Sequence, residues 1–245
     1  MKVIVADDYG QMSQWAAQII VEQVREKPES VLGLATGSTP AGMYEQLVRM
    51  YEEGKVDFSG VRTANLDEYA GLSGSHPQSF RYFMDTHFFG QVNIKKDNIH
   101  FPKSTEGDFG AIAEEYEAQL RRLGSADIQV LGIGGNGHIG FNEPSDHFTE
   151  AVNVAELTGE TIRANARFFT SPEEVPREAI TMGIKNVMSA KKIILLANGS
   201  GKRDIIRKMV YGDITPALPA SILRLHGDCT VIVDKEAGQD LKEVE

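Results

Sequence analysis

The chain is poor in cysteine and has no long hydrophobic run. Its one cysteine, Cys229, cannot close an intramolecular disulfide, so no disulfide framework holds the fold. Set in the run Cys-Thr-Val-Ile-Val, it reads as a buried, inert thiol suited to a reducing compartment. No apolar stretch approaches the roughly 18 residues that a membrane span requires. The opening Met-Lys-Val-Ile-Val-Ala-Asp-Asp puts two acids where a signal peptide needs its apolar core. The expectation is a cytoplasmic protein with no membrane partner. Basic residues are in the minority: 25 Lys and Arg against 35 Asp and Glu give a net charge of -10. That balance argues against nucleic acid while leaving room for a local basic pocket. Repeats, low-complexity tracts and Pro/Ser/Gly-rich linkers are also absent, so one domain is expected over residues 1–245. With 41% hydrophobic residues it can bury a sizeable core.

Several functional signatures are missing as well. There is no Gly-x-x-x-x-Gly-Lys-Ser/Thr loop, which disfavours a nucleoside triphosphate. Neither His-Glu-x-x-His nor a cysteine cluster occurs, so no metal site is expected. Gly132, Gly134 and Gly137 do satisfy Gly-x-Gly-x-x-Gly. That dinucleotide fingerprint must open a helix, yet Phe141-Asn142-Glu143-Pro144 follows, with a proline that stops one. No nicotinamide cofactor is expected.

What the chain does have is an alternation of element types. Short runs rich in Val, Ile and Leu lie at 3–6, 31–34, 63–66, 128–133, 192–197 and 230–234, and fit strands covered on both faces. Helical periodicity marks about 11–26, 40–53, 109–123, 177–189 and 202–211. The pattern predicts an α/β fold: a doubly wound, mostly parallel, Rossmann-like sheet with helices on both faces. The polar stretch 151–169 reads as extended, forming an antiparallel strand or two beside that sheet.

The most informative stretch is 131–144, Leu-Gly-Ile-Gly-Gly-Asn-Gly-His-Ile-Gly-Phe-Asn-Glu-Pro. It places a histidine, a glutamate and two side-chain amides on a glycine-rich turn after a buried strand. The carboxyl end of a strand in an open α/β sheet is where ligands bind. A histidine shuttles protons near neutral pH, and a turn through Gly140 can fold Glu143 back toward His138, an arrangement common in acid–base catalysis. His76, His87, His100, His147 and His226 lack such settings and read as surface or packing residues.

Two further candidates fall at strand ends. After the strand at 31–34 comes Ala35-Thr36-Gly37-Ser38-Thr39-Pro40. Thr39 suits a helix N-cap and Pro40 the first helical position, while Thr36, Gly37 and Ser38 let N–H groups converge on a phosphate. A plain strand-to-helix turn would look the same. Arg167 and Lys202 can each bring a cation there, although an isolated surface charge is the blander reading of either. Asn65-Leu66-Asp67-Glu68-Tyr69 puts two acids at another strand end, where they can catalyse or merely cap a turn. Asp67, first after the strand and most rigidly held, is the better catalytic candidate.

Together, Thr36-Gly37-Ser38-Thr39-Pro40, Asn65-Leu66-Asp67-Glu68-Tyr69-Ala70-Gly71-Leu72, Gly134-Gly135-Asn136-Gly137-His138-Ile139-Gly140-Phe141-Asn142-Glu143-Pro144 and Asn165-Ala166-Arg167-Phe168-Phe169 resemble the glucosamine-6-phosphate deaminases. The likeness covers nearly the whole chain, with the motifs in order. It implies a hydrolase of amino-sugar catabolism that converts glucosamine 6-phosphate and water to fructose 6-phosphate and ammonium without a metal or organic cofactor. It also implies roles. The residue matching His138, with those matching Asn136 and Glu143, opens the sugar ring; that matching Asp67 moves a proton between C2 and C1. The sugar phosphate would rest on Thr36, Gly37, Ser38 and Thr39, clamped by Arg167 and Lys202.

The chain departs from the pattern in two places. Many relatives carry an aspartate where Asn136 stands, and an amide cannot stabilise imidazolium by charge. Longer relatives bind N-acetylglucosamine 6-phosphate at subunit contacts through a basic cluster and a C-terminal tail. Here the matching Asn153-Val154-Ala155-Glu156 is uncharged or acidic, and the chain ends at Glu245. A monomer or small homo-oligomer with hyperbolic kinetics is therefore expected, not an allosteric hexamer. Two rival readings are a 6-phosphogluconolactonase, which needs no base for a carbon-bound proton, and a non-catalytic sugar-phosphate sensor.

Overall fold

A computed structural model describes residues 1–241. Glu245, part of the reasoning on activation, lies outside them. Among the described residues ten strands and seven α-helices follow one another: β1 (Lys2–Ala6), α1 (Tyr9–Glu26), β2 (Val31–Leu34), α2 (Ser38–Glu52), β3 (Arg62–Asn65), β4 (Asp67–Tyr69), α3 (Phe80–His87), β5 (Ile99–His100), α4 (Phe109–Leu123), β6 (Ile128–Leu131), β7 (Asn153–Glu156), α5 (Gly159–Asn165), β8 (Glu178–Thr181), α6 (Ile184–Met188), β9 (Lys192–Ala197), α7 (Arg203–Tyr211) and β10 (Cys229–Asp234). Seven strands form one sheet in the order β1-β10-β9-β6-β2-β3-β5, every pair parallel. The expected α/β architecture is present. Among the described residues no helix is long and apolar enough to cross a membrane.

Local chemistry explains the elements. β9 and β10 are buried almost end to end because helices cover both faces, and their Ile, Leu and Val fill the core. Cys229 lies there with its thiol pushed up to about 12 by burial, which keeps it unreactive at neutral pH. α1 starts where Asp8 accepts the Gln11 N–H at 2.8 Å, and buries Met12, Ala16, Ile20 and Val24 along one face. α4 is capped by Asp108 and ends at Gly124, whose φ of 85° is left-handed.

Three expectations need correction. The stretch 177–189 is not one helix: β8 takes its first half and the short α6 its second. β8 is drawn into antiparallel pairing with both β4 and β7, making a second, three-stranded sheet, and that pairing overrides local helical periodicity. Within 151–169 only β7 is extended. Thr158 accepts the Thr161 N–H and starts α5, so the remainder is helical. Finally, α2 begins at Ser38 with Gly37 as its N-cap and no side-chain cap, so Thr39 is not the N-cap and Pro40 stands in the first turn, not at its first position.

A carboxylate ties the amino edge of the sheet together. Asp127, with its side chain 2% exposed, accepts from Lys27 Nζ at 2.7 Å, Lys191 Nζ at 2.9 Å and the Val31 N–H at 2.8 Å. Burial alone would raise its pKa; the two lysines and the N–H outweigh that and hold it low. Asp127→Ala strands the buried Val31 N–H and should cost about 1–3 kcal/mol, read from the urea midpoint. The lowered pKa makes this contribution complete at neutral pH and lost as pH falls below the ordinary aspartate range, so wild type and variant should converge in acid.

Candidate active site

The order of the main sheet reverses between β2 and β6. From β2 the chain moves to β3 and β5 on one side; from β6 it moves to β9 and β10 on the other. Loops leaving the carboxyl ends of β2 and β6 therefore diverge, and a crevice opens between them. It is a cavity of about 630 Å³ lined by Thr36 to Ala41 after β2, Gly132 to Asn136 and His138 after β6, Asp67 from β4, α3, α5 and Lys202.

At one end the backbone is arranged for an anion. Gly37 has φ 102° and ψ 178°, a conformation open essentially to glycine alone, and it turns β2 directly into α2. The first N–H groups of that helix have no intrahelical partners and sit at the positive end of its dipole. Tyr9 pins the turn: its hydroxyl donates to Ser38 O at 2.9 Å and accepts the Gly42 N–H at 2.7 Å. Thr39 Oγ1 donates to Asn198 Oδ1 at 3.0 Å. Lys202 Nζ reaches over from the start of α7 and donates to Ile133 O at 2.6 Å; burial, then the nearby Arg167, lowers its pKa. The Arg167 guanidinium stacks 4.6 Å from the Phe168 ring centroid. Neither cation is paired with a carboxylate among the described residues. Thr36, Gly37, Ser38, Thr39, Arg167 and Lys202 thus share one cavity.

The glycine-rich loop brings His138 and Glu143 together. His138 Nδ1 is buried 3.3 Å from Glu143 Oε2, though not aligned as a full hydrogen bond. Glu143 Oε2 also accepts from Asn136 Nδ2 at 2.7 Å, and Asn136 Oδ1 accepts the His138 N–H at 3.2 Å. Burial would raise the Glu143 pKa, but contacts with His138, Thr161 and Asn136 hold it down at about 2, fully ionised. With Nδ1 turned inward, Nε2 is the nitrogen left to face the cavity. Gly134 is a steric requirement: a Cβ there would lie 2.3 Å from the His138 ring.

Asp67 opposes them in character. β3 ends at Asn65, and Asp67 opens β4, so it belongs to the small sheet rather than to the main strand's end. Its carboxylate makes no hydrogen bond among the described residues, and burial, then Glu68, raises it to about 8. Gly140, at φ 57°, lets the loop close over it; a Cβ at Gly140 would be 3.5 Å from Asp67 Oδ2. Glu68 takes the structural role its position left open. Its carboxylate accepts the Tyr69 and Phe80 N–H groups at 2.9 Å and that of Arg81 at 2.8 Å, capping α3. Sequence reasoning missed α3 as a wall and set His87 aside, yet His87 lines the cavity beside Phe83. It also missed Thr158 and Thr161, which both reach Glu143.

Fold and site define an α/β protein with a cavity at the switch point of a parallel sheet, where a helix start and two cations without carboxylate partners among the described residues face a histidine backed by a glutamate and a buried aspartate. The chain belongs to the glucosamine-6-phosphate isomerase/6-phosphogluconolactonase family, whose profile it matches over residues 7–232. It is 52% identical over 250 residues to a glucosamine-6-phosphate deaminase of Thermoanaerobacter sp. (strain X514), covering 100% of this chain and 99% of that one. A deaminase of Lachnoclostridium phytofermentans is 53% identical over 232 residues, covering 95% and 98%. The solved structure of a monomeric glucosamine-6-phosphate deaminase superposes with a TM-score of 0.95 at 44% identity, over 98% of this chain and 99% of that one. A 6-phosphogluconolactonase of Leishmania guyanensis, at 22% identity and a TM-score of 0.77 over 98% of each chain, shares the fold.

The raised Asp67 pKa has a consequence for stability. The folded chain keeps a proton that the unfolded chain, titrating near about 3.9, has lost, so stability falls as pH climbs through the window up to about 8. Asp67→Asn removes this dependence. The variant should melt higher than wild type, by a margin that widens from pH 4 to pH 8 and then levels. A margin of 1 kcal/mol corresponds to roughly 2–4 °C for a chain of this size. A pH-independent margin in calorimetry would show that Asp67 is ionised throughout.

Proposed function

We propose that this chain is a cytoplasmic glucosamine-6-phosphate deaminase, converting glucosamine 6-phosphate and water to fructose 6-phosphate and ammonium. The observation that carries the reading is the buried Asp67 carboxylate, without a hydrogen-bond partner among the described residues, which lines one cavity with His138 and the start of α2, while an ionised Glu143 backs His138 from outside that lining. The names of the relatives support the same reading. In this reading the phosphate sits on Thr36, Gly37, Ser38 and Thr39, held by Arg167 and Lys202, which sets the reach of the sugar into the crevice.

The chemistry then follows from the residues. His138, oriented by Glu143 and Asn136, takes the proton of the anomeric hydroxyl and delivers it to the ring oxygen as the C1–O5 bond breaks. Asp67 removes the proton on C2 and returns it to C1, while one proton of the substrate ammonium passes to the aldehyde oxygen; the enolamine so formed becomes an iminium at C2. Water adds at C2, its two protons pass to the nitrogen, and ammonium leaves as the C2 carbonyl forms, giving the ketose. Asp67 must be ionised to act as a base. The substrate ammonium beside it supplies the opposite charge that lowers a carboxyl pKa, so the base is switched on by the group it acts next to.

A lactonase would hydrolyse an ester-like bond and has no use for a base aimed at a carbon-bound proton. A sensor would bind without turnover. Neither reading explains a buried carboxylate kept free of partners, whose desolvation costs stability. As with the structural relative described as monomeric, we infer a monomer with hyperbolic kinetics. A Hill coefficient well above one that falls on addition of N-acetylglucosamine 6-phosphate would contradict this.

The test is release of ammonium and fructose 6-phosphate from glucosamine 6-phosphate by chelator-treated protein. Wild type should release both in equal amounts. Asp67→Asn should still bind the sugar phosphate and lose at least about 100-fold in kcat, the scale of a lost acid–base group. His138→Gln should slow reaction of the ring form more than that of any open-chain substrate. Turnover of 6-phosphogluconolactone without ammonium release would instead establish the lactonase reading.

A further inference from the structure

The Glu143 carboxylate is shared between two parts of the molecule. Oε2 faces the catalytic loop, accepting from Asn136 and lying beside His138. Oε1 faces α5. Thr161 Oγ1 donates to it in a short hydrogen bond, and Thr158 Oγ1 lies 3.3 Å from it and 3.1 Å from Thr161 Oγ1. A hydroxyl has one proton to give, so Thr161 is the committed donor and Thr158 the reserve. With each oxygen held from its own side, the carboxylate plane is fixed, and so is the edge it presents to His138.

α5 has a second business. It runs without a break into the turn Ala166–Phe168, so Arg167 follows Thr161 on one continuous arm. Ile162 of α5 packs in a small separate core with Leu157, Tyr69 and Phe141, and Phe169 closes over it. One arm therefore touches both ends of the cavity: Thr161 at the histidine end and Arg167 at the anion end.

We propose that Thr161, seconded by Thr158, is a positioning residue that holds Glu143 toward His138 only while the α5 arm is seated, so that anion binding at Arg167 and orientation of the histidine form one linked equilibrium. Linkage is reciprocal: if the seated arm holds Glu143, then Glu143 holds the arm and hence Arg167. This yields an expectation of unusual sign. By Coulomb's law alone, removing the negative charge of Glu143 near an anion site should tighten anion binding. If the linkage holds, removing it should weaken binding.

Calorimetric titration with inorganic phosphate tests this on wild type, Thr161→Val, Thr161→Ser, Glu143→Ala and the Val/Ala double variant, with thermal melts confirming that each is folded. The isosteric Thr161→Val should weaken phosphate binding roughly 5-fold or more, although Thr161 is not itself a phosphate ligand. Thr161→Ser, which keeps the hydroxyl, should restore it to within about 2-fold. Glu143→Ala should weaken binding too, and adding Thr161→Val to it should cost nothing further, because both act through one contact. Unchanged binding in Thr161→Val, tighter binding in Glu143→Ala, additive losses, or no phosphate binding by wild type would each overturn the proposal. The proposal rests on the deaminase reading only for its kinetic arm, in which Thr161→Val lowers kcat on glucosamine 6-phosphate about 10-fold and Thr161→Ser recovers it. Absence of wild-type turnover would end the deaminase reading, while the phosphate titrations would still decide the linkage.

Discussion

Everything in the candidate site depends on the reversal of strand order between β2 and β6. A parallel sheet needs a crossover connection for each strand, and at most places successive crossovers close over one another. Only where their direction changes do neighbouring loops part, and here that place lies between Leu34 and Leu131. The loop after β2 is free to turn at Gly37 into a helix whose first N–H groups face the cavity, and the loop after β6 to become the glycine-rich turn with His138. The main sheet cannot supply the third wall. The small antiparallel sheet does, by carrying Asp67 on β4 and anchoring the glycine-rich loop, where the Phe141 N–H donates to Thr181 Oγ1 and Asn142 Nδ2 donates to Met182 O.

That division shows which features a linear sequence reveals. The parallel strands were legible because burial on both faces selects unbroken runs of Val, Ile and Leu, as in β9 and β10. The residues of the site were legible because glycine density around Gly134, Gly137 and Gly140 signals close approach. The structure gives the reasons: the His138 ring lies over Gly134, Leu218 packs against Gly137, and Thr181 and Asp67 lie against Gly140. β8 was hidden because its partners β4 and β7 are distant in sequence, and no local pattern records a pairing made between them. The start of α2 was misread for a related reason. Thr39 and Pro40 have the chemistry of a cap, but Gly37 alone can adopt the backbone angles of the turn, and conformation took precedence over side-chain capping.

The α5 arm was hidden in a different way. Its polar residues look like a solvated loop, since Thr158, Glu160, Thr161, Arg163 and Arg167 follow in quick succession. Thr158 and Thr161 have the spacing of an N-cap and the N–H it receives, which is the signal that could have marked a helix. Nothing in the sequence says that both hydroxyls also meet Glu143. Such a contact arises only once the catalytic loop and the arm are brought side by side on the small sheet.

The three carboxylates in and around the cavity have the same chemistry and three different fates, and the differences follow their donors as well as their depth. Glu68, Glu143 and Asp67 all lose hydration, and burial is the leading influence on each. Glu68 receives three backbone N–H groups, which do not fully offset burial, and its oxygens are occupied in holding α3. Glu143 receives Thr161 and Asn136 and faces His138, which more than offsets burial and keeps it an anion that can orient an imidazole but not take up a proton. Asp67 receives no donor among the described residues, so burial, with the Glu68 charge beside it, raises its pKa to about 8. Environments that push neighbouring carboxyl pKa values apart are how acid–base roles are assigned within a single site. Glu143 is thereby suited to hold an orientation and Asp67 to exchange a proton, a division that neither residue's identity nor its position in a motif dictates.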